Sequence, residues 1–194
     1  MVCRWWHLGY LPRPAGYRRD LVNGLLVHMR ETDVLIVGAG PTGLSLACQL
    51  IRYGIDFVLL DKKETTTPYS RAIGVQARTL EIYEQIGLAK NLIALGKPAE
   101  MVRLIESGEV RGEAVLKDLG AGLSPYPYML VVDHGLHEGL LDKYIVSHGR
   151  SADWQTQLDS FEQDATGVTA VTTNGSGVSE TIRAKYLVGC DGAK

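Results

Sequence analysis

The sequence predicts an α/β fold organised on a parallel sheet and continued by an antiparallel β meander. Three adjoining stretches carry this reading. "DVLIVGAG" (33–40) is an uninterrupted apolar run closed by glycines, as expected of a strand buried on both faces. "PTGLSLACQLIRYG" (41–54) places Leu44, Ala47, Leu50 and Ile51 on one helical face and offers Gly54 as the stop. "IDFVLLDKK" (55–63) is a second buried strand, and strand, helix and strand joined by short links form a parallel unit.

The elements beyond this unit follow in order. "KETTTPYSRAIGVQ" (63–76) is polar and is expected to be loop. "ARTLEIYEQIG" (77–87) reads as a helix with Leu80, Tyr83 and Ile86 on one side and Gly87 past its end. "MVRLIESGEVRGEAVLKDL" (101–119) suggests a hairpin turning at Ser107-Gly108. "DHGLHEGLLDKYIVSHG" (133–149) is another amphipathic helix, with Asp133 placed to cap it. "GVTAVTTNGSGVSETIRAKYLVGC" (167–190) reads as antiparallel strands turning around Asn174-Gly175, then a buried strand into Cys190. No internal repeat interrupts this order.

Composition bounds the function classes. The 194 residues are 45% hydrophobic and 22% charged, which is ordinary globular usage. A net charge of −2 argues against a nucleic-acid partner, which needs a basic stripe. No apolar run approaches the ~18 residues of a membrane span. Three cysteines (Cys3, Cys48, Cys190) without a C-x-x-C pair suit a reducing, cytoplasmic setting and give no metal spacing. His134 and His137 stand one helical turn apart but lack a third ligand, so no metal is expected and both are read as solvent-side.

Residues 1–31 do not share the pattern. Their first 28 carry Arg4, Arg13, Arg18 and Arg19 against Asp20 alone, with two prolines and no period. An export signal around "YRRDLVNGLLV" is disfavoured by the break at Asn23-Gly24 and by the lack of a small-x-small site. The segment is therefore expected to be an N-terminal extension, disordered or arising from a misplaced start, with Met29 opening the folded protein.

The chemistry is concentrated in "VGAGPTG". Gly38 permits a tight turn, Gly40 lets backbone approach a pyrophosphate, and Gly43 lets the helix pack close to the strand. The helix start then presents N–H groups and roughly half a positive charge to an anionic diphosphate. Pro41 and Thr42 lie inside this loop and are taken with it. Asp61 closes the second strand 23 residues after Gly38, where a carboxylate accepts from ribose hydroxyls, and Lys62 stands beside it. Two other G-x-G pairs, Gly120/Gly122 and Gly175/Gly177, lack the third glycine and the strand–helix setting. The unit is a Rossmann-like dinucleotide site.

Three separated motifs resemble one family in its own order. "DVLIVGAGPTGLSLACQL" is similar to the opening motif of the group A flavin-dependent aromatic monooxygenases, the para-hydroxybenzoate hydroxylase-like and phenol hydroxylase-like enzymes. "SRAIGVQARTLEIYEQIGL" (70–88) resembles their arginine segment, and "YLVGCDGAK" (186–194) their Asp-Gly strand end. The resemblance implies a glutathione-reductase-type FAD-binding domain over 32–194, with 100–131 as a partial insertion that begins a β-rich substrate domain. It implies FAD held at Gly38, Gly40 and Gly43, with Asp61 on the adenosine ribose. Arg71 would meet the ribityl–phosphate side, which suits a permanently charged, bidentate guanidinium. Asp191 and Gly192 would position the cofactor from their strand end. Relatives often carry glutamine where this chain has His134, so His134 would have to supply that contact to the flavin side chain.

The resemblance further implies NAD(P)H as reductant, O2 as oxygen donor and a small electron-rich aromatic substrate. It identifies no catalytic acid or base. In the family the Asp-Gly strand lies mid-chain, so the sequence reads as a truncated front part of doubtful activity alone. Sheet edges left open would suit a homo-oligomer or a missing C-terminal half. A non-catalytic FAD- or ADP-binding module remains an alternative, as do an epoxidase, a halogenase or a reductase of the same fold.

Overall fold

A computed structural model describes residues 17–22, 25–68, 72–117 and 120–192, with the side chains of 17–28 left aside. The backbone opens with β1 (Tyr17–Val22), antiparallel to the first half of β2 (Leu25–Val37). Strand β2 crosses the expected boundary at residue 31 without a break and runs through Met29 into the glycine loop. Residues 17–22 and 25–31 are thus strand rather than the disordered extension the composition suggested. Residues 1–16 lie outside the described part. Backbone pairing, which any sequence can provide, carries this segment.

Helix α1 (Pro41–Tyr53) follows, then β3 (Phe57–Leu60), parallel to β2 from Val34↔Phe57 to Val37↔Leu60. Leu44, Ala47 and Leu50 are buried as the helical period requires, and Gly54 ends the helix in the left-handed region at φ 66. β3 is buried along its whole length, so its continuous apolar run needs no alternation.

The segment expected to be loop contains β4 (Ala72–Val75). It pairs with β8 (Leu130–Asp133), which also pairs with the short β5 (Gly96–Pro98). Four residues with only Val75 buried give too little pattern for a strand to be read locally. Helices α2 (Ala77–Glu84) and α3 (Ala89–Leu95) lie between β4 and β5. The hairpin β6 (Met101–Glu106) and β7 (Glu109–Val115) turns at Ser107-Gly108 as expected and is exposed throughout.

Helix α4 (His134–Ser147) is capped by Asp133, whose carboxylate accepts from the Leu136 N–H at 3.0 Å. Strands β9 (Thr156–Asp164), β10 (Gly167–Asn174) and β11 (Ser179–Gly189) complete the large sheet in the order β1-β2-β11-β10-β9. The hairpin partner of β10 and the strand into Cys190 are one element: β11 is antiparallel to β10 over its first half and parallel to β2 from Thr181↔Met29 to Gly189↔Val37. Past Ala184, which lies opposite Val168 at the start of β10, no described strand pairs with that flank, and Tyr186 is 68% exposed instead of buried.

Two apolar layers flank the sheet. Ile36, Leu44, Ala47, Leu59, Leu80, Leu92, Leu141 and Ile145 form the helix-side core, and Leu35, Val58, Leu60, Ala170 and Ile182 the opposite side. At about 1.5–3 kcal/mol for each fully buried large side chain, these layers fix the sheet against its helices. No helix among the described residues is long and apolar enough to cross a membrane.

Candidate functional site

Three parallel strands end side by side. β2 gives way to Gly38, β3 to Asp61 and β11 to Cys190-Asp191. The Gly38 N–H donates to Leu60 O at 2.8 Å and the Cys190 N–H to Val37 O at 2.6 Å, so the three exits are tied to one another. In open α/β sheets the crevice beyond these carboxyl ends is where ligands bind.

Two glycines make the convergence possible. Gly38 has φ +107, and a Cβ there would strike the carbonyl of Cys190 and the Asp191 N–H, 2.6 Å away. A Cβ on Gly43 would fall on the carbonyl oxygen of Gly38, with the Cys190 Cβ 3.3 Å off. Gly43 therefore brings α1 onto the strand ends, as its spacing predicted, and does not line the cavity. Gly40 does line it: the nearest atom to a Cβ there is Glu138 Oε1 at 3.8 Å, so open space stands before the loop.

That space is a cleft of about 600 Å³. Gly38, Gly40, Pro41 and Thr42 form one wall, and Asp61, Lys62, His134, Asp191 and Gly192 line the remainder together with residues the sequence did not single out. Gly40 is the N-cap of α1 and provides no side-chain cap. The first N–H groups of the helix are thereby left for a ligand, the arrangement that suits an anionic diphosphate. A cradle that a Cβ would narrow and an uncapped helix start both fit the pyrophosphate of a dinucleotide.

Asp61 is 8% exposed rather than solvated. Its Oδ2 accepts from the Ala39 N–H at 2.7 Å and its Oδ1 from the Lys63 N–H at 2.9 Å. One carboxylate thus braces the glycine loop against the end of β3, with a lone pair of each oxygen still available. Lys63 Nζ stands 3.7 Å from Asp61 and 3.8 Å from Glu138, between the two acids.

Glu138, 1% exposed, was not foreseen, although it lies four residues after His134 on one face of α4. Its Oε2 accepts from the Thr67 N–H at 2.6 Å. His134 Nε2 is 3.2 Å from Glu138 Oε1 without an aligned hydrogen bond. Thr156, Gln157 and Leu158 of β9 complete the wall beside Asp61, where the Thr156 N–H donates to Asp61 O at 2.9 Å. Nothing local in the sequence marks these three, since they arrive through pairing across nearly a hundred residues. Arg71 lies outside the described residues.

His137 is corrected from solvent-side to buried, at 3% exposure. Its Nε2 pairs with Tyr83 Oη at 2.8 Å, Tyr83 Oη with Ser45 Oγ at 2.5 Å, and Ser45 Oγ donates to Pro41 O at 2.5 Å. The chain of contacts ties α4 and α2 to the first turn of α1. Burial, with His134 nearby, lowers the His137 pKa from 6.5 to about 4, and burial raises that of Tyr83 to about 12. Between pH 6.5 and 4 the unfolded chain binds the proton that folded His137 refuses. Stability from this group is thus complete above pH 6.5 and lost as pH falls through that window, by on the order of 2–3 kcal/mol. Urea melts at pH 7.5 and 5.0 are expected to show the loss, and His137→Gln to reduce it.

The model of the family described as "FAD binding domain" matches residues 31–194. Rifampicin monooxygenase of Rhodococcus hoagii is 36% identical over 172 residues, covering 84% of this chain and 32% of that protein. Anhydrotetracycline monooxygenase of Streptomyces rimosus is 36% identical over 160 residues, covering 82% and 30%. The crystal structure of the flavin-dependent monooxygenase PieE in complex with FAD and substrate matches with a TM-score of 0.72 and 28% identity, over 84% of this chain and 31% of that one. The chain spans about a third of the length of these relatives.

Proposed function

The chain belongs to the FAD binding domain family, and on that premise we propose that it is the FAD-binding part of a monooxygenase that uses NAD(P)H and O2 on an aromatic substrate. The observation that carries this reading is the meeting of the glycine loop, Asp61 and the Asp191-Gly192 turn around one cleft. Gly38, Gly40, Pro41, Thr42 and the start of α1 would take the diphosphate, with Gly43 seating the helix. Asp61 would accept from the adenosine ribose through its remaining lone pairs, with Lys62 beside it. Asp191, Gly192, His134 and Arg71 would face the ribityl side. The bound flavin supplies the redox chemistry; the chain's own residues bind it, orient it and shield it from water.

A phenol-like or polycyclic aromatic substrate is the class we favour, since the relatives are named for rifampicin and anhydrotetracycline. Residues 32–194 would then be the cofactor domain, with 100–131 contributing to a substrate region. The test is NAD(P)H oxidation and O2 uptake by the FAD-loaded protein, with and without phenolic and polycyclic aromatic compounds. Stimulation by an aromatic compound is expected. Bound flavin with no stimulation by any of them would favour a non-catalytic FAD-binding module.

A further inference from the structure

Resting on the FAD reading above, we infer that Glu138 is a positioning residue of the cofactor cleft, which docks the 62–68 segment onto the first turn of α4. The docking uses both backbone groups of Thr67. Its N–H donates to Glu138 Oε2 at 2.6 Å, and its carbonyl oxygen lies where a Cβ on Gly135 would stand 2.7 Å away. Gly135 has no side chain because that backbone passes directly over it, and Asp133 Oδ1 would be 3.3 Å from the same Cβ.

The carboxylate also faces the cleft. Lys63 Nζ and His134 Nε2, 3.8 and 3.2 Å from Oε1, belong to residues that line the cleft with Glu138. A carboxylate 1% exposed is costly to desolvate, and an apolar residue would pack more cheaply against the core of α4. What an apolar residue could not do is hold the Thr67 N–H and keep Lys63 on the wall. Asp61 fixes the segment at its start through the Lys63 N–H, and Glu138 fixes it four residues later. Together they set the path of residues 63–67 along the cleft.

The experiment compares wild type, Gly135→Ala, Glu138→Ala and Glu138→Gln by FAD fluorescence titration and thermal melts. Removing a hydrogen bond to a charged acceptor predicts that Glu138→Ala binds FAD about 10–100-fold more weakly. Glu138→Gln, whose amide oxygen still accepts from Thr67, is expected within about threefold of wild type. Gly135→Ala leaves the carboxylate intact but sets a Cβ 2.7 Å from the Thr67 carbonyl oxygen, so the segment must shift; it is expected to weaken FAD about tenfold, with the gain in helix propensity offsetting only part of the fall in its melt. With titrations run at a temperature where every variant is folded, weak FAD binding by Gly135→Ala beside near-wild-type binding by Glu138→Gln is a split that a merely structural role would not produce, and it decides the matter even if Glu138→Ala fails to fold. Unchanged FAD affinity in folded Gly135→Ala overturns the inference, as does a loss of affinity that disappears once the titration is confined to temperatures at which the variant is fully folded. Failure of wild type to bind FAD overturns the underlying reading, and the inference with it.

Discussion

Gly43→Ala is expected to abolish measurable flavin binding and to destabilise the fold by about 3 kcal/mol, the upper part of the range for forcing volume into a packed site. The added methyl would land on the Gly38 carbonyl oxygen, and a backbone atom cannot rotate aside as a side chain can. Cys190 blocks a second direction at 3.3 Å. Relief requires α1 to move off the strand ends, which opens the loop proposed to receive the diphosphate and exposes Leu44 and Ala47, both fully buried. A thermal melt should fall by roughly 6–12 °C for a domain of this size. Gly139→Ala supplies the control: it is also helical, nothing stands within 4 Å of its added Cβ, and it should be neutral or mildly stabilising. Equal melts and equal affinities for the two variants would show that the helix does not rest on the loop as described.

Asp61→Ala carries the second large effect. The substitution leaves the Ala39 N–H, inside a residue with no exposed surface, without its acceptor, and frees the Lys63 N–H as well. An orphaned buried donor costs about 1–3 kcal/mol, and the loss of a brace on the glycine loop adds to the loss of the proposed ribose acceptor. FAD affinity is expected to drop on the order of 100-fold, equivalent to about 2.7 kcal/mol. Asp61→Asn keeps one acceptor oxygen and should fall between the two, with a melt closer to wild type. If Asp61→Ala melts lower but binds FAD as wild type does, the carboxylate is a structural brace and the ribose contact is wrong.

The residues most legible in the sequence are those whose chemistry is local. Gly43 and Asp133 act on backbone within a few positions of themselves, and Gly38 turns the chain at φ +107, as their spacing implied. The strand–helix–strand unit was equally plain, because a strand buried on both faces and a one-faced helix differ in period. What escaped depends on partners far along the chain. β4 owes its existence to β8, nearly sixty residues later, and carries too little apolar pattern to announce itself. β11 looked like two strands because its first half follows a hairpin and its second a parallel partner, a distinction set by neighbours rather than by composition.

Side-chain burial misled in the same way. His137 reads as one polar residue among many on α4, yet Tyr83 and Ser45 await it across two other helices. Glu138 reads as a surface charge, and only the arrival of Thr67 and Lys63 gives a buried carboxylate its partners. Asp61 was found by its position at a strand end, but its grip on the Ala39 N–H was not, since that contact exists only once β2 and β3 lie in register.

The central claim, that this cleft is built for the ADP part of FAD, is tested most directly by titrating the purified chain with FAD, followed by flavin fluorescence, with ADP and NAD as competitors. The site as proposed predicts saturable FAD binding that ADP displaces, because the glycine loop, the start of α1 and Asp61 would all address the adenosine diphosphate. Absence of saturable binding by a chain whose melt shows it folded would contradict that assignment.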